Sequence, residues 1–268
     1  MNETLYVLGT GNANATHCYN TCFALRREKE YLLTDAGGGN GILPILEEMH
    51  IPLSAIHHMI LTHAHTDHIL GAVWVLRMIA SAIKGHAYEG DFYVYGHDSL
   101  IPFLRSMCTE MLPARLIGLF DERIHFVAVA DGETRTILDY PVTFFDIHST
   151  KLRQFGYTLT LENGRRLTCL GDEPFHPLCR PYAEGADWLL CEAFCLYGER
   201  DRFRPYEKNH STVRDAALLA QELGVRHLVL WHTEDTDLPH RKERYTREAL
   251  EHCSCEVFVP NDREMIRL

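Results

Sequence analysis

A chain of 268 residues, 46% of them hydrophobic, is long enough to bury a substantial core without disulfide or metal staples. No run approaches the ~20 consecutive apolar residues of a membrane span, and the opening MNETLYVLGTGNA lacks the basic start and apolar core of a signal peptide. Both features imply a cytoplasmic protein that does not enter a membrane, and the net charge of −11 argues against a broad basic footprint for long nucleic acid.

Nine cysteines fit a reducing compartment if they are mostly buried and unpaired. Cys253 and Cys255 form a C-x-C pair and Cys191 and Cys195 lie four apart. Neither has a second pair at zinc-finger spacing, so both read as structural.

Short apolar runs alternate with helical patterns and no internal repeat is present, which reads as an α/β chain. TLYVLGTG is an opening strand, followed by strands in NTCFAL and EYLLTDAGGG. ILPILEEMHI and HILGAVWVLRMIASAI have helical length and spacing. In the second of these, Trp74 and Met78 sit four apart, a spacing expected of core packing. DFYVYG is a strand, after which His97 reads as a turn histidine, and DSLIPFLRSMCTEML is helical. Tyr88, Tyr93 and Tyr95 line either a pocket or a subunit contact. YTLTLENGRRLTCL reads as two alternating strands joined by Asn163-Gly164 in a tight primed turn. TVRDAALLAQELG is a helix capped by Thr212 and stopped by Gly224, and HLVLW and EVFVP close the chain as strands.

Potential metal donors follow the apolar runs. MILT leads to His63, VTFFDI to His148, LTCLG to Asp172 and HLVLW to His232. If these strands run the same way in their sheets, the four positions fall on one rim, where α/β folds place their sites. A single histidine after a strand is most often structural. Here, however, the first of them opens His63-x-His65-x-Asp67-His68. Residues i and i+2 of an extended segment point the same way, so His63 and His65 can hold one ion. Asp67 and His68, at the mouth of the next helix, can turn toward a second. Imidazole nitrogens with a few carboxylates suit zinc, and manganese or iron fit the same set. With seventeen histidines in the chain some clustering arises by chance, but the ordered pattern between a strand and a helix speaks against a merely histidine-rich loop.

This pattern resembles that of the metallo-β-lactamase superfamily, over essentially the whole chain. The resemblance implies a single domain over 1–268, a four-layer αββα sandwich with two divalent metal ions at one edge. It implies that His63, His65 and His148 hold one ion, that Asp67, His68 and His232 hold the other, and that Asp172 bridges them. Asp35, in LLTDAGGG, matches an aspartate that orients the histidine turn from behind; read alone, it is a loop cap ahead of the glycines.

Within that superfamily the chain is similar to the ribonuclease Z-like phosphodiesterase branch. His210-Ser211-Thr212 before a helix resembles its H-S-T motif. LLCEAF resembles the segment whose glutamate, here Glu192, supports the motif's histidine. The opening LGTG and Asn20 also match, although Tyr19 stands where the branch has arginine and GDEPF where it has G-D-T. The resemblance implies a phosphodiester substrate, a small or cyclic nucleotide or RNA, attacked by hydroxide made available by the metal pair. Asp67, His210 and Glu192 are the expected catalytic side chains, with His210 as general acid. The arm with which ribonuclease Z grips transfer RNA lies between the positions of His148 and Asp172, and this chain has only a short loop and a hairpin there. Arg200 to Lys208 (RDRFRPYEK) is the local candidate for phosphate binding. A tRNA 3′-endonuclease, a thioester hydrolase of the hydroxyacylglutathione hydrolase type, and a non-catalytic metal-binding protein stay open as alternatives. Relatives in this branch often form homodimers.

Overall fold

The computed structural model describes residues 3–268; Met1 and Asn2, with which the reading of the N-terminus begins, lie outside the described residues. Two compact units emerge, one made of Met1–Gly9, Tyr19–Ala130 and Arg263–Leu268, the other of Thr10–Cys18 and Asp131–Asp262.

The first unit holds strands β1 (Thr4–Gly9), β2 (Cys22–Arg27), β3 (Glu30–Thr34), β4 (Ile56–Ile60), β5 (Phe92–His97) and β6 (Ile124–Val129). The last strand of the chain, β14 (Met265–Arg267), completes a seven-stranded sheet in the order β14-β1-β2-β3-β4-β5-β6. β3, β4, β5 and β6 are parallel to one another, and the β14-β1-β2-β3 side is antiparallel. Parallel neighbours need crossovers, supplied by α1 (Ile42–Glu48), α2 (Thr66–Lys84), α3 (Leu100–Met111) and α4 (Ala114–Ile117).

Helix α2 corrects two expectations. Its 19 residues are apolar enough, by length and composition, to cross a membrane, yet eleven are buried, and Val75, Leu76 and Ile79 share a core with Leu33, Met59 and Val94. The apolarity is that of a core helix. Trp74 and Met78 are not core residues, being 40% and 38% exposed. The buried stripe runs through Ala72, Val75, Leu76, Ile79, Ala80 and Ile83, and positions 74 and 78 fall beside it. His97, read as a turn histidine, is instead the last residue of β5; it is buried, and its Nδ1 accepts from the backbone N–H of Leu100 at 3.2 Å.

The second unit holds β7 (Thr134–Ile137), β8 (Tyr140–Asp146), β9 (Phe155–Thr160), β10 (Arg166–Cys169), β11 (Trp188–Glu192), β12 (His227–Trp231) and β13 (Glu256–Phe258), in the order β13-β12-β11-β10-β9-β8-β7. Its helices are α5 (Arg180–Ala183), α6 (Arg200–Phe203), α7 (Val213–Leu223) and α8 (Leu238–Leu250). β8 and β10 are each antiparallel to β9 and therefore run the same way; β11 and β12 are parallel to β10. The condition set by the sequence holds here: the C-terminal ends of β8, β10, β11 and β12 share one edge.

Two local expectations meet different fates. α7 starts with a full capping box, in which Thr212 and Asp215 each accept from the other's backbone N–H, and it ends at Gly224 in the left-handed region (φ 66°). The β9–β10 hairpin forms, but not with a primed turn. The Gly164 N–H donates to Leu161 O, and Gly164 alone in the loop has positive φ (79°), so the strands close through a three-residue loop with a glycine bulge. Asn163 serves instead by accepting from the Arg165 N–H. All nine cysteines are free and all but Cys18 are buried, as expected of structural thiols.

Candidate metal centre

In the first unit the donors come from one turn. β4 ends at Ile60, and His63, His65, Asp67 and His68 follow within eight residues, the last two already in the first turn of α2. Asp35, just past the end of the parallel neighbour β3, organises them. Its Oδ1 accepts from the Thr62 backbone N–H at 2.8 Å, and its Oδ2 accepts from the Thr62 hydroxyl at 2.8 Å and meets His68 Nδ1 at 2.8 Å. Thr62 Oγ1 lies 2.9 Å from His63 Nδ1. With both Nδ1 atoms engaged behind the rings, the Nε2 atoms face forward. His63 Nε2 lies 2.8 Å from His65 Nδ1, and His68 Nε2 lies 3.4 Å from Asp67 Oδ2. A carboxylate behind a histidine, fixing its orientation, is the usual support of a metal ligand. Asp35 adopts φ 54°, a conformation that suits aspartate better than most residues.

The glycines after Asp35 complete this support. The Tyr19 hydroxyl donates within a cradle formed by Ala36 O at 2.9 Å and Gly39 O at 2.8 Å, and Asn20 Oδ1 accepts from the Gly38 N–H at 3.1 Å. A Cβ on Gly37 would lie 2.2 Å from the Tyr19 ring, so the glycine is there to admit the tyrosine. Tyr19, which departs from the branch's arginine, is thus the clasp on the loop behind the histidine turn. The substitution itself was visible in the sequence; its role was not.

In the second unit the donors come from separate strand ends. Asp172 follows β10 and His232 follows β12; both are buried, with Asp172 Oδ2 3.4 Å from His232 Nε2. Glu192 ends β11 with no exposed surface, and its Oε1 accepts from the Ser211 N–H at 2.5 Å. Its Oε2 lies 3.6 Å from His210 Nδ1, beyond hydrogen-bond length. Glu192 therefore supports the His210 turn chiefly through the backbone. The His210 ring stacks on Phe194 (5.0 Å between centroids, 9° between planes) and lies 5.2 Å from the His232 ring. Glu192, His210 and His232 each bring one donor atom within 4.8 Å of the others.

His148 does not join them. It is exposed, has φ 61°, and its ring lies 4.7 Å from that of His176. The strand order delivers it to the expected edge, but the loop after β8 turns its ring onto this neighbour. The segment Arg200 to Lys208 is braced internally. Arg200 lies over Tyr197, Arg204 pairs with Glu207, and the Tyr206 hydroxyl donates to Asp215. Three residues of the segment reach the site's surroundings: Lys208 Nζ lies 4.8 Å from the centre of the Phe194 ring on which His210 stacks, the Phe203 ring meets the same ring edge-on at 6.4 Å, and Pro205 O accepts from the His210 backbone N–H at 2.9 Å.

One residue was missed by sequence reasoning. Glu173, directly after Asp172, is buried; its Oε2 accepts from Asn209 Nδ2 at 2.6 Å and its Oε1 lies 3.9 Å from Lys151 Nζ. A single carboxylate thereby joins the loop of Asp172 to the turn of His210 and to the loop of His148. Its signal was the departure of GDEPF from G-D-T.

The donor chemistry fits divalent cations. Imidazoles and carboxylates are the ligands of zinc and its neighbours in the first transition row, and in the first unit His63 and His68 are held by polar partners that fix their direction.

Comparison with known proteins agrees. The profile of the beta-lactamase superfamily domain matches residues 31–233, more than half of the chain. Ribonuclease Z of Thermococcus sibiricus is 24% identical, covering 97% of this chain and 95% of its own length, and ribonuclease Z of Myxococcus xanthus is 27% identical, covering 90% and 92%. Among solved structures, the metallo-beta-lactamase fold protein YhfI of Bacillus subtilis covers all of both chains with a TM-score of 0.81 at 18% identity. The short form of human tRNase Z covers 98% of both chains with a TM-score of 0.73 at 23% identity. A diphosphatase of the PhnP family covers 100% and 98% with a TM-score of 0.76 at 16% identity. The fold class expected from the sequence, α/β of the metallo-β-lactamase type, is the one these matches carry.

Proposed function

The chain belongs to the metallo-β-lactamase superfamily, and we propose that it is a metal-dependent hydrolase of phosphodiesters in which the two units act as one domain and their donors serve one binuclear centre. In this reading His63, His65 and His148 would hold one ion and Asp67, His68 and His232 the other, with Asp172 serving both, and His148 would have to turn away from His176 to take part. Two divalent ions, zinc by donor chemistry with manganese and iron as alternatives, would supply hydroxide at neutral pH and neutralise the phosphoryl oxygens. A cytoplasmic location accords with nine free cysteines.

The observation that carries the phosphodiester reading is the arrangement of His210. Its Nδ1 faces the fully buried Glu192, which leaves Nε2 to give a proton to the departing oxygen. Stacking on Phe194 holds the ring plane, and the Glu192–Ser211 hydrogen bond holds the turn that carries it. Asp67, buried beside His68, shapes the other side of the centre in the family's manner.

Hydrolysis of bis(p-nitrophenyl) phosphate by the zinc- or manganese-loaded protein tests this. The parent turns it over and His210→Ala loses ~10²–10⁴-fold in kcat, with the low end expected for so good a leaving group. Turnover unaffected by the substitution removes His210 from the mechanism, and absence of turnover with metal bound rejects the phosphodiester reading.

RNA is the second reading, favoured because relatives matched over more than nine-tenths of their own length carry the name ribonuclease Z. Against transfer RNA stands the interval between His148 and Asp172, which holds only the β9–β10 hairpin. Cleavage of a precursor tRNA beside a short diester decides between them.

A further inference from the structure

We propose that the cleft beside α2 built around Trp74 and Arg77 receives the nucleobase of a nucleoside-bearing phosphodiester, an inference that rests on the phosphodiester reading above and names its substrate class. The cleft has a volume of about 250 Å³, and its lining includes Gly38, Leu70, Trp74, Arg77 and Met111. Whole small-molecule sites span ~300–1,000 Å³, so this one suits a single ring system and not an entire ligand.

Its position ties it to the metal-binding turn. Asp67, Leu70, Trp74 and Arg77 follow the i, i+3, i+7, i+10 spacing of one helix face. Trp74 lies two turns from Asp67, ~10 Å along the axis, comparable to the span from a nucleotide's phosphate to the far edge of its base. The glycine wall touches the same turn: a Cβ on Gly38 would lie 3.8 Å from Asp67 Cα, and the Gly71 N–H donates to Gly37 O at 2.8 Å. On Gly39 a Cβ would meet nothing within 4 Å, so that side of the wall is open.

Its chemistry selects the occupant. Trp74 is 40% exposed and Met111 60%, whereas Trp188 and Trp231 are each only 2% exposed. An exposed indole offers a stacking face that accepts any base, and the thioether of Met111 adds a polarizable contact. Arg77 makes no ion pair or hydrogen bond among the described residues, so its guanidinium is available to a phosphate or to the base edge. One cation suits a short diester; a long strand would call for a basic track, which a chain of net charge −11 does not suggest.

Two measurements on the metal-loaded full chain test the assignment. Tryptophan emission is followed while adenosine 5′-monophosphate is added. Because the other two tryptophans are buried, quenching reports on Trp74, and Arg77→Gln is expected to need several-fold more nucleotide for the same change. The ratio of kcat/KM for the dinucleoside phosphate ApA to that for bis(p-nitrophenyl) phosphate is then compared between parent and Trp74→Ala. Loss of one stacked base is expected to lower the ratio by ~5–100-fold. Emission unchanged while the nucleotide binds by calorimetry, or an unchanged ratio, overturns the proposal. Self-association weakened by Trp74→Ala with an unchanged ratio does so too, and gives the cleft to a second copy. Turnover of neither diester by the parent defeats the phosphodiester reading itself, while the emission test still decides whether the cleft takes a nucleobase.

Discussion

The donors of the first unit lie within six consecutive residues and are oriented by one carboxylate, whereas those the second unit assembles come from separate strand ends, Asp172 after β10, Glu192 at the end of β11 and His232 after β12, and are placed by sheet direction. The first arrangement is local chemistry: Asp35 and Thr62 hold the rings by hydrogen bonds, so damage there is expected to disturb metal binding before folding. The second is topology: its donors are in place only when β10, β11 and β12 are paired, so damage there is expected to appear in stability as well.

Asp35→Asn is the strongest test of that contrast. It keeps the volume but removes the charge behind His68 and Thr62, and it is expected to weaken metal affinity by ~10–100-fold with little change in the apo protein's urea midpoint. Metal affinity measured by competition with a chromophoric chelator checks this, and an unchanged affinity breaks the contrast. On the other side, Glu173→Ala strips Asn209 Nδ2 of its acceptor. A buried donor left unsatisfied costs about 1–3 kcal/mol, so both stability and kcat are expected to fall, while Glu173→Gln, which can still accept from Asn209, recovers much of each. Loss of kcat with unaltered stability would move Glu173 from topology to chemistry.

Thr212→Ala removes half of the capping box at the start of α7, two residues after His210. It is expected to lower stability by about 0.5–2 kcal/mol, read from urea unfolding, and to lower kcat only slightly because the Glu192–Ser211 bond remains. The last effect concerns pH: a loss of stability on acidification, absent at neutrality. Burial, reinforced by the neighbouring charge of His57, lowers the His58 pKa from 6.5 to about 4. Folding therefore favours the neutral ring. Its contribution is complete above pH 6.5 and is lost as the pH falls from 6.5 toward 4. His58→Phe is expected to flatten that part of the stability–pH curve; equal slopes for parent and variant would remove His58 from it.

The same contrast explains what could be read from the sequence. The H-x-H-x-D-H turn was legible because its meaning lies in spacing, and so were α7, with both caps in one segment, and the strand ends that lead to Asp172 and His232. Harder features depend on distant partners. α8 buries only Arg241, Tyr245 and Ala249. Its stripe is narrow and begins with an arginine that hydrogen-bonds Thr10, Thr233, Pro260 and Asn261, so no apolar period marks it. β14 is three residues long and its partners are residues 4–6. Trp74 and Met78 misled because helical spacing does not say which face meets the sheet. His148 shows the limit of topology: strand direction delivers a residue to an edge, but the loop decides where its ring turns.

The pairing of β14 with β1 also orders events in time. The first unit takes its other strands from residues before 131, yet the outer edge of β1 gains its partner only from residues 265–267. At ~5–20 residues per second of synthesis, that edge waits roughly 7–27 s while the second unit is made. An unpaired strand edge is a template for unwanted association. The emerging chain thus carries its greatest risk of aggregation during translation of its own second half, and slowing synthesis between codons 131 and 262 is expected to lower its soluble yield more than slowing it earlier.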